Sequence, residues 1–131
     1  MTALFADTSF FVSFLSFDDE YYPSACKYMA DHQGQILTTE WVLLELGNYL
    51  ASNGRRLFGP LIGTLRDDPR FVILWSREGF DAGVRLYNRR SDKRWSLTDC
   101  ISFIIMEDHH ITAALTADHH FQQAGFEVLL A

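Results

Sequence analysis

Five short runs almost free of charge recur along the chain, at residues 2–6, 35–38, 71–75, 112–115 and 126–130. Their apolar residues follow one another instead of alternating, the pattern of strands covered on both faces. Longer stretches with helical spacing separate them. A chain built this way is constrained to layers: a three-layer α/β/α sandwich around a mostly parallel sheet of about five strands. Its 131 residues suit one domain covering 1–131 with a core of its own. No repeat, linker or low-complexity segment interrupts it.

The first run ends in Asp7-Thr8-Ser9, which suits a helix start, and residues 10–17 are apolar at helical density. A second helix is expected from about Asp19 to His32, stopped by Gly34. Thr39 can cap a helix running to about Asn53, with Gly54 just past its end. Residues 55–67 read as one helix, with Leu57, Leu61, Ile62 and Leu65 on one face and Asp68-Pro69 ending it. Phe71 to Trp75 is the clearest strand. Ser76 caps a helix to about Arg90, a polar loop covers 91–95, and another helix covers about 97–109. A short helical turn at 118–124 precedes the final strand.

The net charge of −6 argues against a simple electrostatic nucleic-acid binder, but the charge is segregated. Residues 1–54 hold one base and seven acids, a net of −6; residues 55–94 hold ten bases and five acids, a net of +5; residues 95–131 hold no Lys or Arg and five acids, a net of −5. The densest basic cluster is Arg85, Arg89, Arg90, Lys93 and Arg94. It is either a solvated helix face and loop or a surface for RNA. No run approaches the roughly 18 apolar residues of a membrane span. Asp7 interrupts the apolar N-terminus and no Lys or Arg precedes it, so no secretory signal is expected. Cys26 and Cys100 sit among apolar residues and fit a reduced, cytoplasmic protein.

In open parallel sheets, sites form at the C-terminal ends of strands. Asp7 follows the first strand and Asp118 follows the fourth. Each could equally be a helix cap. Asp99 completes the capping box Ser96-Leu97-Thr98-Asp99, and taken alone it reads better as structural. Glu45 is harder to explain that way. Its helix neighbours Trp41, Val42, Asn48 and Tyr49 make a largely apolar face with no local Lys or Arg, where a carboxylate is costly unless paired. A bound cation would resolve this. Glu40, at the helix start, is explained by the helix dipole. If the four acids converge, they cannot all ionise without a counter-charge. Hard oxygen ligands select Mg²⁺ or Mn²⁺, and such sites cut phosphodiesters through an activated water.

The order and spacing of these residues resemble the PIN-domain nucleases along the whole chain, in particular VapC-type toxins of bacterial toxin–antitoxin pairs. Phe5-Ala6-Asp7-Thr8-Ser9 is similar to the family's first acidic block, and Thr38 to Leu46 to its second, whose acid falls on Glu45. Ser96-Leu97-Thr98-Asp99-Cys100 and Leu115-Thr116-Ala117-Asp118-His119-His120-Phe121, ending in Gly125-Phe126, resemble the third and fourth. The resemblance implies a metal-dependent endoribonuclease. Asp7, Glu45, Asp99 and Asp118 would hold one or two Mg²⁺ or Mn²⁺ ions, the attacking hydroxide would come from metal-activated water, and cleavage would leave a 5′-phosphate. Ser9 and Thr116 match polar positions near the metal. The resemblance also implies a homodimer and a small antitoxin that blocks the site. His119 and His120 stand where a basic residue often follows the fourth acid.

Other readings carry less. The pairs His109-His110 and His119-His120 lack metal-ligand spacing for zinc and read as surface turns. Cys100 has no partner pattern for a nucleophile. Trp41 and Trp75 suit core or dimer packing, whereas Trp95, beside Lys93 and Arg94, is the expected RNA-stacking aromatic. A phosphotransfer domain would want a second Asp at position 9 or a Lys late in the chain, and has neither. A PIN-fold RNA-processing nuclease, or a non-catalytic interaction module of the same fold, is the alternative to a toxin.

Overall fold

The computed structural model describes residues 2–131, apart from the side chain of Asn53. Strands β1 (Leu4–Ala6), β2 (Ile36–Thr39), β3 (Phe71–Leu74), β4 (Ala113–Leu115) and β5 (Glu127–Val128) pair in the order β3-β2-β1-β4-β5. Every pairing is parallel; Phe5 at the centre lies opposite both Leu37 and Ala114. β1, β2 and β4 are buried throughout, which is why their sequences are continuously apolar rather than alternating.

The helices are α1 (Thr8–Leu15), α2 (Tyr22–Asp31), α3 (Glu40–Asn53), α4 (Phe58–Asp67), α5 (Arg77–Arg89), α6 (Leu97–Asp108) and α7 (His119–Gln123). Right-handed crossovers put α1 to α4 on one face of the sheet and α5 to α7 on the other. The contacts agree: α1 touches α2 and α3, while α6 touches α5 and α7. Strand order reverses between β1 and β4, so the crevice at their C-terminal ends is the place where this topology leaves room for a site.

Local chemistry sets the element ends. Thr39 Oγ1 accepts the Val42 N–H at 3.1 Å and Ser76 Oγ accepts the Gly79 N–H at 2.8 Å, so both expected caps form. The helix expected from Asp19 starts later, at Tyr22. Asp19 instead closes the α1–α2 turn, its carboxylate accepting from Ser13 Oγ at 2.9 Å and from the Tyr21 N–H at 2.8 Å. The helix expected over 55–67 divides into a 3₁₀ turn, Arg55–Leu57, and α4. Gly54 permits this with φ of +135°, a region L side chains avoid. The last strand pairs over two residues only, although the Leu129 and Leu130 N–H groups still reach Ala114 O and Thr116 O at 3.0 and 3.1 Å.

Phenylalanines fill the interior. Phe5, Phe10, Phe11 and Phe121 are wholly buried, and Phe103 meets Trp95 and Phe121 edge-on at 5.1 and 4.9 Å. Helices α5 and α6 meet closely at Gly83, where a Cβ would fall 2.5 Å from Ile101 Cγ1 and 3.0 Å from its Cα. That contact fixes the start of α6, and with it Asp99.

Candidate active site

Asp7, Glu45, Asp99 and Asp118 line one cleft of about 400 Å³ at the β1/β4 crevice, together with Thr8, Ser9, Val12, Arg94, Ser96 and His120. Asp7 is the innermost. It occupies the N-cap position of α1, yet its side chain caps nothing. Its Oδ2 accepts from Thr116 Oγ1 at 3.0 Å instead. A hydroxyl network holds that contact. The Ala117 N–H donates to Ser9 Oγ at 3.2 Å, and Ser9 Oγ lies 2.9 Å from Thr116 Oγ1. With Asp7 ionised, the Thr116 proton is committed to the carboxylate, so Ser9 must donate to Thr116. Thr116 Oγ1 also accepts the Asp118 N–H at 3.0 Å. One threonine therefore ties the ends of β1 and β4 together and sets two of the acids.

The other two acids come from helices on opposite faces. Asp99 does form the capping box: its N–H donates to Ser96 Oγ at 3.0 Å, and its Oδ2 accepts from the Ser96 N–H at 3.1 Å. The cap and the cleft use the same carboxylate, so the structural reading and the site reading hold together. Glu45 differs from expectation. It is exposed, not desolvated on an apolar face, because the middle of α3 turns this side to the open cleft. Its Oε1 accepts from Thr8 Oγ1 at 2.5 Å. Asp118 caps α7 by accepting the His120 N–H at 2.9 Å.

Electrostatics in the cleft are unbalanced. Burial pushes the Asp7 carboxyl up to about 7 against its ordinary 3.8, and the charges of Asp99 and Glu45 add to the rise, while hydrogen bonds from Thr8 N–H and Thr116 work against it. Asp99 is also raised, chiefly by burial and further by Asp118; the Ser96 N–H and His120 oppose this. Among the described residues, no Lys or Arg forms an ion pair with any of the four acids.

A second groove, of about 520 Å³, adjoins the first and is lined by Tyr87, Asn88, Arg90, Ser91, Lys93, Arg94, Trp95 and Ser96. Arg94 and Ser96 line both. Arg85 and Arg89 are exposed on α5 nearby in sequence, outside the lining of either groove. Arg90 is partly engaged, paired with Asp92 at 2.9 Å and lying 5.2 Å over the Trp95 ring. The expectation for Trp95 is corrected. It is buried, and its Nε1 donates to Gln123 Oε1 at 3.0 Å, so the indole is spent on the core rather than free to stack on a base. Trp75, assigned to core or dimer packing, is 58% exposed and stacks on half-buried Trp41.

Four cleft residues escaped the sequence reading: Thr8, Val12, Ser96 as a wall, and His120. Ser96 was visible only as a cap. His120 was read as part of a surface turn, but its Nδ1 lies 3.1 Å from Asp99 Oδ2 and 3.4 Å from Asp118 Oδ1. The signal was present in the spacing. In a helix capped by Asp118, the second residue stands beside the cap.

This arrangement, a parallel sheet of order 3-2-1-4-5 with acids gathered at its reversal point, is that of a PIN domain. The family model for the PIN domain matches residues 4–127, and the chain belongs to that family. The fold is shared with the crystal structure of Mycobacterium tuberculosis VapC20, described as a sarcin-ricin loop cleaving toxin. The two agree with a TM-score of 0.87 at 21% identity, over 98% of this chain and 99% of that one. No curated protein sequence is significantly similar to this chain.

Proposed function

We propose that this protein is a divalent-metal-dependent endoribonuclease, the toxin of a type II toxin–antitoxin pair. The observation that carries the reading is the convergence of four carboxylates, two of them buried and none ion-paired to a Lys or Arg among the described residues, beside a groove lined by Arg90, Lys93 and Arg94. The donor set fits Mg²⁺ or Mn²⁺. It is built of hard oxygens, and burial, with the charges of Asp99 and Glu45 adding to it, raises the Asp7 carboxyl to about 7, a cost that a cation would offset. Asp7, Glu45, Asp99 and Asp118 would hold one or two such ions. When bound, they supply a water acidic enough to attack at neutral pH and offset the charge of the phosphate.

The chain's own residues do the rest. Thr116 holds Asp7 and the backbone of Asp118 in fixed relation, and Ser9 fixes Thr116. Thr8 orients Glu45. Arg94, at the junction of cleft and groove, would hold the phosphate next to the cut, with Arg85, Arg89, Arg90 and Lys93 along the strand. Likeness in fold to a toxin that acts on the sarcin-ricin loop supports RNA as substrate and an antitoxin as partner. We assign the homodimer contact to the exposed Trp75, Phe80 and Leu44 surface. Free thiols at Cys26 and Cys100 suit the cytoplasm; no helix among the described residues is long and apolar enough to cross a membrane.

The test is RNA cleavage with Mg²⁺ or Mn²⁺ by the wild type, Asp7→Asn and Asp99→Asn. Each variant should lose at least about a hundredfold in rate while keeping its circular dichroism spectrum. Unchanged cleavage in both would sink the assignment.

A further inference from the structure

We infer that the imidazole of His120 is a direct ligand in this metal centre and biases it toward Mn²⁺ over Mg²⁺. The inference rests on the metal-centre reading above and narrows it. His120 is the second residue of α7. Asp118 caps that helix by accepting the His120 N–H, and the cap turns the ring back over the carboxylates. Nδ1 then lies between Asp99 Oδ2, at 3.1 Å, and Asp118 Oδ1, at 3.4 Å. Asp118 is the cap of His120's own helix, two residues before it, whereas Asp99 belongs to α6, 21 residues away, so the meeting with Asp99 is made by the fold. The neighbouring His119 is mostly in solvent, 71% exposed against 20% for His120.

Two ligands at right angles around one ion, each about 2.1 Å from it, stand about 3.0 Å apart. Both nitrogen–oxygen separations are in that range, so the His120 nitrogen can share a cation with Asp118 or with Asp99. Asp118, His120 and the more exposed His119 bring ligand atoms within 4.8 Å of one another, which is why His119→Ala is the necessary control. The competing use of the His120 nitrogen is a hydrogen bond to Asp99. The two exclude each other, because a ring nitrogen that carries a proton has no lone pair for an ion. Chemistry then separates the cations. Mg²⁺ keeps to oxygen and gives up its waters reluctantly, whereas imidazole suits transition ions. A centre of carboxylates alone would have little basis for preferring Mn²⁺, and a nitrogen at its edge supplies one.

Mn²⁺ is titrated into the metal-free chain and followed by electron paramagnetic resonance, with pulsed spectra reading any nitrogen bound directly to the ion. Wild type should show that coupling, His119→Ala should keep it, and His120→Ala should lose it. His120→Ala should weaken Mn²⁺ binding about tenfold and Mg²⁺ binding, measured by competition, by less than about threefold. His120→Asp should bind both ions without the coupling and with a smaller preference. Bound Mn²⁺ lacking nitrogen coupling in the wild type overturns the inference, as does coupling that survives His120→Ala. Absence of any Mn²⁺ binding overturns the metal-centre reading itself, a distinct result. The wild-type and His119→Ala spectra decide the matter even if His120→Ala does not fold.

Discussion

The C-terminal edge of the sheet has two halves with opposite chemistry. Behind β1 and β4 stand Asp7, Thr116 and Asp118; behind β2 and β3 stand Trp41 and Trp75. The polar half is knit by hydrogen bonds through two hydroxyls: Thr116 donates to Asp7 and accepts the Asp118 N–H, and Ser9 accepts the Ala117 N–H. The aromatic half has rings in place of that network, Trp41 stacked on Trp75 at 6.2 Å and on Phe80 at 6.1 Å. A groove of about 670 Å³ beside it, larger than the acidic cleft, is lined mainly by Trp41, Leu43, Leu44, Phe58, Ile62 and Trp75. Both halves lie at the C-terminal ends of parallel strands, though only β1 and β4 flank the reversal of strand order. Strand ends make room, and the residues placed there decide whether that room holds ions or covers another chain. The larger of the two concavities is therefore the poorer guide to the chemistry, because it lacks convergent charge.

The sharpest way to break this contrast is to remove the charge from the polar half. Native Asp7 keeps its proton up to about pH 7, while in an unfolded chain the group gives it up near 3.8. The metal-free fold should therefore lose stability as pH rises from about 4 to about 7, and the Asp7 contribution should change no further above that. The full difference corresponds to about 4 kcal/mol at most. Asp7→Asn should thus be more stable than the wild type at pH 8 without metal, and the gain should shrink toward pH 4. Denaturant unfolding at the two pH values checks it. Equal stability of the two proteins at pH 8 would mean that the carboxylate is not under strain.

Much of this edge was legible in the sequence, for a physical reason. Asp7 and Asp118 sit just after short apolar runs, and a parallel sheet leaves few places for such residues except its C-terminal crevice. The strand order could not be read, because runs such as Phe71 to Trp75 and Thr112 to Leu115 are alike in pattern and pairing depends on contacts far apart in the chain. Exposure was the other failure. Glu45 and Trp95 were placed by their neighbours in sequence, but a helix face next to a cleft is open where its pattern says buried. An indole beside two bases turns inward where Phe103 and Gln123 can take it. His120 was missed because two adjacent histidines look alike in a sequence, while the cap at Asp118 treats them differently.

The aromatic half gives the next prediction. Trp75 and Leu44 are 58% and 62% exposed, a surface that an isolated chain gains nothing by keeping. If a second copy covers it, Trp75→Ser should weaken self-association by about thirtyfold, in line with aromatic anchors at interfaces. Sedimentation velocity over a concentration series measures this. RNA cleavage per chain should fall much less than in Asp7→Asn. A wild type that is monomeric at all concentrations would leave the patch to a different partner and end its assignment to the dimer.

The smallest effect concerns the border of the polar half, where Arg94 lines both the acidic cleft and the basic groove. Here the segregation of charge becomes functional. A phosphate strand is attracted by the groove and repelled by four carboxylates, and the balance shifts only when a divalent ion offsets the acids. RNA binding should therefore be weak without metal and strengthen when Mg²⁺ or Mn²⁺ is added, a sign opposite to the ordinary screening effect of added salt. With metal present, Arg94→Ala should weaken binding of a single-stranded RNA and lower the slope of log affinity against log salt by about 0.7, the value for one phosphate contact. Asp7→Asn offers the control, using the metal-free protein at pH 8, where Asp7 is ionised: one fewer negative charge in the cleft should relieve part of the repulsion and strengthen RNA binding slightly. If metal leaves RNA affinity unchanged while cleavage still depends on it, the acids act on the reaction alone, and the basic groove holds RNA independently of the cleft beside it.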